Sequence, residues 1–130
     1  MGIFNKIFGE SNSEKIESVK LNWNDLIELN QLDVLNEESK QNAVIIFKHS
    51  TRCGISRMAF NGFERDFNLP NDIVKLYYID ILNYRDISNE ISSRFGIWHE
   101  SPQLLVIRNK KVVYHASHGQ IDAKNIEKFI

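Results

Sequence analysis

At 130 residues, with 42% hydrophobic and 25% charged residues, the chain has the size and balance of one soluble domain able to bury a real core. A formal net charge of -1 leaves no basic footprint for nucleic acid, and no apolar run has the length of a bilayer span or a secretory leader. The single cysteine, Cys53, excludes an internal disulfide and fits a reducing, cytoplasmic compartment.

The chain changes character near residue 20. Ile3, Phe4, Ile7 and Phe8 recur at helical spacing, and residues 9–14 are polar and linker-like. Residues 1–20 are therefore expected to form an N-terminal tail, with a short amphipathic helix and linker, ahead of a domain at 21–130. The tail carries too little charge for stable membrane anchoring, and Lys6 stands where the myristoylation pattern needs Ser or Thr.

From residue 21 the chain alternates in type. Trp23 and Leu26 suit a short edge strand, and Asn30 is placed to cap a helix carrying Leu32 and Leu35. Residues 44–47 are β-branched and aromatic without alternation, the pattern of a strand buried on both faces. Residues 55–67 follow as a helix with Ile55, Ala59 and Phe63 on one stripe, flanked by Phe60 and Phe67. Gly62 weakens that helix by about 1 kcal/mol relative to alanine.

The segment 69–72 breaks the chain, and 73–82 reads as a strand. Asp86 is expected to cap a helix through Ile87, Ile91 and Phe95, closed by Gly96. Pro102 precedes a strand at 103–107, a turn at 109–111 follows, and 112–115 returns antiparallel. A last helix is expected from Asp122, burying Ile126, Phe129 and Ile130. The order β-α-β-α-β-α-β-β-α predicts an α/β protein with a central mixed sheet flanked by helices, the thioredoxin fold.

The chemistry concentrates where the first long strand turns into a helix, in His49-Ser50-Thr51-Arg52-Cys53-Gly54-Ile55-Ser56. A thiol there lies beside the unpaired amides and the positive dipole end of the helix, which favour the thiolate, the reactive form. Arg52 adds positive potential beside it. His49 either does the same when protonated or simply completes the strand end. Ser56 occupies the position at which a dithiol oxidoreductase carries its resolving cysteine, where its hydroxyl is expected to hydrogen-bond the Cys53 thiolate or cap the helix. A hydroxyl cannot displace a disulfide, so a mixed disulfide at Cys53 must be released by an outside thiol. Ser101-Pro102 is the second half of the pattern: a proline opening a strand at this point of such a fold is typically cis, facing the cysteine and leaving the Ser101 backbone free for an extended substrate.

The segment from Phe47 to Ser56 resembles the signature of the YtxJ-type monothiol bacilliredoxins, thioredoxin-fold proteins of the bacillithiol system. Ile79-Asp80, Arg94-Phe95-Gly96-Ile97, Glu100-Ser101-Pro102-Gln103 and the run from Val112 to His118 extend the likeness from about Trp23 to the last residue. The resemblance implies a cytoplasmic enzyme that removes bacillithiol from mixed disulfides on S-thiolated proteins. It implies Cys53 as the nucleophile, Pro102 as the cis-proline, bacillithiol as co-substrate and no bound cofactor. Thr51, Arg52 and Ser101 are the candidates for holding the small thiol. Two other readings keep the fold. Cys53-Gly54-Ile55-Ser56 is close to the Cys-Gly-Phe-Ser motif of monothiol glutaredoxins, which share a [2Fe–2S] cluster between monomers. A non-catalytic adaptor, with the Phe-rich N-terminus making the contacts, is the third. His115 and His118 read as surface residues rather than metal ligands.

Overall fold

The computed structural model describes residues 21–130, so the tail expected over 1–20 lies outside the described residues. Strands and helices alternate as β1 (Trp23–Asp25), α1 (Gln31–Glu38), β2 (Ala43–His49), α2 (Gly54–Asp66), β3 (Val74–Asp80), α3 (Arg85–Phe95), β4 (Gln103–Arg108) and β5 (Lys111–Ser117). The sheet order is β1-β3-β2-β4-β5. β1, β3 and β2 run parallel, while β4 is antiparallel to β2 and β5 to β4. The predicted thioredoxin-type mixed sheet flanked by helices is the architecture found.

β2 lies at the centre, and all seven of its residues are buried. Its alternation divides the core between the two faces. Val44 and Ile46 pack with Leu32 and Leu35 of α1 and Ile87 and Ile91 of α3. Ala43, Ile45 and Phe47 pack with Phe63 of α2 and its C-cap Phe67, and with Ala123 and Ile126 near the C-terminus. A strand covered on both sides has no use for polar alternation, which is why residues 43–47 are continuously apolar.

Several local expectations are corrected. Ile55 does not join the buried stripe of α2 but is 64% exposed, leaving Phe63 and Phe67 to bury with Ala59 and Phe60 beside them. α2 runs unbroken through Gly62. α3 begins at Arg85 with Tyr84 in the capping position, so Asp86 is not the cap but a first-turn acid near the positive helix end. Gly96 closes α3 in the left-handed conformation, φ 67°.

β3 stops at Asp80 because that carboxylate folds the next residues into a turn, accepting from the Leu82 N–H at 3.1 Å and from Asn83 Nδ2 at 2.8 Å. The β4–β5 turn needs two left-handed residues, Asn109 (φ 52°) and Lys110 (φ 69°). Their amides donate to Ser39, to its carbonyl at 2.7 Å and its hydroxyl at 2.8 Å, which holds Lys110 in a conformation it otherwise disfavours. The helix expected from Asp122 is instead a pair of 3-10 turns, Ala123–Asn125 and Glu127–Phe129, preceded by another at His118–Gln120. Ala123, Ile126 and Phe129 recur every three residues, which matches the 3-10 period and carries Ala123 and Ile126 into the core.

Candidate functional site

β2 ends at His49, and the chain then turns tightly through Ser50–Cys53. The Cys53 N–H donates to the Ser50 carbonyl at 3.1 Å, and the Cys53 carbonyl accepts the first bond of α2, from the Arg57 N–H at 3.0 Å. Cys53 is thus the N-cap of a 13-residue helix, extended at φ -104° and ψ 123°. The thiol is free and half-buried. It stands where the helix presents its unpaired amides and the positive end of its dipole. Thr51, Arg52 and Gly54 around it are exposed, and nothing lies within 4 Å of where a Gly54 side chain would begin.

Ser56 lies one turn on, fully buried. Its Oγ accepts from the Ser50 N–H at 3.0 Å and lies 2.7 Å from His49 Nδ1, so it bonds these rather than the Cys53 thiol, and Cys53 rather than Ser56 is the helix cap. The hydroxyl pins the end of β2, the loop and the first turn of α2 together. Ser56→Ala leaves a buried imidazole nitrogen and a backbone N–H without their partner. A stability loss of about 1–3 kcal/mol is expected in urea denaturation. Thiol exchange is expected to stay within about tenfold of the parent, because the hydroxyl takes no part in displacing sulfur.

His49 is buried and stacks on Phe60, ring centroids 5.1 Å apart. Burial pushes its imidazole below the ordinary value; Asp80 opposes this and Arg57 adds to it. The lowered value favours the neutral ring, which shares one hydrogen bond with the Ser56 hydroxyl. The charge at the loop comes from arginine: Arg52 is exposed, and Arg57 Nη1 reaches the Thr51 carbonyl at 3.5 Å.

His99 is also held low, chiefly by burial and then by Lys48 and Arg85, with Glu100 opposing. Both rings bind protons more readily unfolded than folded, so their stabilising contribution is lost as the pH falls below about 6.5. The urea midpoint is expected to drop between pH 7 and pH 5.5, and to drop less in His99→Gln.

The Ser101–Pro102 peptide is cis. Lys48 pairs with Gln103 in the β2–β4 ladder, so Pro102, next in register, comes level with His49 at the sheet end where the Cys53 loop begins. Pro102 is buried and Ser101 half-buried, and the Pro102 carbonyl accepts from the His118 N–H at 3.1 Å. An open groove of about 450 Å³ runs from Ile55 and Met58 along α2 to His118 and Ile121. Met58 is 74% exposed, so the helix face leading away from the thiol is apolar and accessible.

Sequence reasoning passed over Lys48. It sits on β2 with 0% exposure, its Nζ 3.3 Å from Ser92 Oγ and 3.3 Å from His99 Nδ1. A lysine inside an otherwise apolar strand was the available signal. Burial pushes its ammonium down to about 8, with Glu100 opposing. Among the described residues, no group of three or more His, Cys, Asp or Glu side chains is arranged to hold a metal ion, and no helix is long and apolar enough to cross a membrane.

The family model described as monothiol bacilliredoxin BrxC matches residues 24–126. Among solved structures, one described as a proposed oxidoreductase with a thioredoxin fold superposes with a TM-score of 0.70 at 28% identity, over 82% of this chain and 91% of that one. Thioredoxin from Malassezia sympodialis superposes at 0.64 and 19% identity, over 85% and 88%. Thioredoxin f from spinach chloroplast gives 0.60 and 12%, over 89% and 90%. The two thioredoxins establish the fold.

Proposed function

The chain belongs to the monothiol bacilliredoxin family, and from that premise we propose that Cys53 removes bacillithiol from mixed disulfides on cytosolic proteins. The observation that carries the reading is a free, half-buried thiol capping a long helix, with a buried serine where a resolving cysteine would stand. The Cys53 thiolate attacks the bacillithiol sulfur of the substrate disulfide. A new disulfide forms between Cys53 and bacillithiol, the old bond breaks, and the protein sulfur leaves as thiolate and takes a proton from water. A second bacillithiol, as thiolate, then attacks its own kind on Cys53, releasing bacillithiol disulfide and restoring the Cys53 thiolate. Both steps conserve electrons without a bound cofactor.

Thr51 and Arg52, exposed on the loop, and Ser101, beside the cis-proline, are placed to meet polar groups of the small thiol. The groove beginning at Ile55 and Met58 offers apolar contact to the protein substrate. The test is intact-mass analysis of reduced protein mixed with bacillithiol disulfide or with glutathione disulfide. One bacillithiol adduct at Cys53, reversed by excess bacillithiol and formed much faster than the glutathione adduct, is the expected result. Equal loading by both removes the bacillithiol assignment, and no loading by either removes the exchange reading.

A further inference from the structure

Lys48 is a cation enclosed by the fold with no acid in contact; the charge of Glu100 acts on it from beyond ion-pair distance. Among the described residues no carboxylate forms an ion pair with it. Its neighbours are instead Ser92 Oγ and His99 Nδ1, both at 3.3 Å, and Ser88 Oγ lies 3.3 Å from that same ring nitrogen. Gln103, directly opposite Lys48 in the ladder and so on the same face of the sheet, is 1% exposed. Its Nε2 donates to the Trp98 carbonyl at 3.0 Å, while its Oε1 finds no partner among the described residues. The Gln103 oxygen calls for a donor, whereas a buried charge held only by neutral groups is costly unless an anion balances it.

Directly outside lies an open cavity of about 580 Å³, lined by Asn89, Ser92, Gly96, Ile97, Trp98 and His99. Trp98 is 91% exposed. An ammonium has only donors, so Lys48 donates to Ser92 Oγ and to His99 Nδ1. Accepting at Nδ1 puts the neutral ring's proton on Nε2, and accepting at Oγ frees the Ser92 hydroxyl to donate. Lys48 thereby leaves two cavity-lining residues each with a hydrogen to donate and backs them with one positive charge.

We infer that the recess under Trp98 binds a carboxylate, held by Ser92 and His99, with Lys48 beneath supplying the charge. One cation behind two neutral donors, next to Ile97 and the Trp98 ring, matches a single planar carboxylate group better than a tetrahedral phosphate. Lys48 is the penultimate residue of β2, two residues before the loop Ser50–Cys53 that carries the thiol. On the exchange reading, which the inference deepens, the carboxylate belongs either to the small thiol or to an acidic side chain of the substrate protein.

The test is an NMR titration of the reduced full chain with succinate, and with succinamide at matched ionic strength. Succinate is expected to give saturable shifts at the Trp98 indole, Ser92 and His99, and succinamide none. Lys48→Met, which keeps the volume and removes the charge, is expected to weaken succinate at least tenfold. No shifts with succinate, or equal shifts in Lys48→Met, overturn the inference. Two kinetic arms separate the sources. A tenfold higher KM for a small-thiol disulfide once its carboxylates are methylated, with the difference lost in Lys48→Met, assigns the carboxylate to the small thiol. The same pattern between acidic and neutral peptide substrates assigns it to the protein. Succinate binding in a protein that performs no exchange supports the recess and removes the exchange reading alone.

Discussion

Cys53→Ser is expected to reduce removal of a small thiol from protein mixed disulfides at least about a thousandfold, to the uncatalysed background, while leaving the fold intact. Sulfur displacement requires a thiolate, and a serine hydroxyl at neutral pH supplies neither the charge nor the nucleophilicity. No other thiol exists in the chain to compensate. The structural side of this expectation is as definite. Cys53 is the N-cap of α2 without a side-chain capping bond, and serine is among the best residues for that position. The variant is therefore expected to unfold at the same urea concentration as the parent or slightly above it. A dead and equally stable variant separates chemistry from structure. A variant that keeps more than a hundredth of the parental rate would remove Cys53 from the mechanism.

The second large effect runs in the opposite direction. Lys48→Met is expected to stabilise the protein at pH 7 by about 2–3 kcal/mol, the cost of holding a charge inside the sheet. The Lys48 ammonium is pushed from its ordinary value down to about 8, chiefly by burial. Below pH 8 the residue is protonated both folded and unfolded, and the full penalty applies. Between about pH 8 and 10 the unfolded chain holds more protons than the folded one, so the parent gains stability as the pH rises. The advantage of Lys48→Met is expected to shrink over that interval. Denaturant midpoints of the two proteins at pH 7, 8.5 and 10 check it, and a parent curve parallel to the variant's would show that Lys48 carries no such penalty. A stabilising loss of a buried side chain is what a residue kept for function at the expense of stability should give.

Much of this was legible in the sequence because it is local. The apolar run at 44–47, the polar loop and the cysteine before a helix are consecutive, and they appear in order as β2, the turn and α2. The alternation that predicts a mixed sheet is equally a matter of neighbouring residues. Gly96 signalled its own left-handed closure of α3, because few other residues adopt that backbone readily.

What escaped depends on residues far apart. Lys48 becomes an enclosed cation only when α3 brings Ser92 and the following loop brings His99, 44 and 51 residues along the chain. The exposure of Ile55 depends on how α2 sits on the sheet, since its helical spacing alone puts it with Phe63. Asp86 looked like a cap because Asp often is one, yet the backbone enters the helix two residues earlier. The 3-10 turns replace the expected last helix because Ala123 and Ile126 must both reach the core between α2 and the sheet. Arg57 contributes through the Thr51 carbonyl, a contact set by the loop's turn rather than by composition.

The most direct test of the central claim identifies which sulfur Cys53 attacks. Reduced protein is mixed with a substrate protein carrying bacillithiol in mixed disulfide, quenched with acid at successive times, and weighed intact. Displacement at the bacillithiol sulfur predicts an early species in which Cys53 carries a single bacillithiol, formed as the substrate protein appears in its free thiol form. A covalent complex between the two proteins as the main early species would contradict the account.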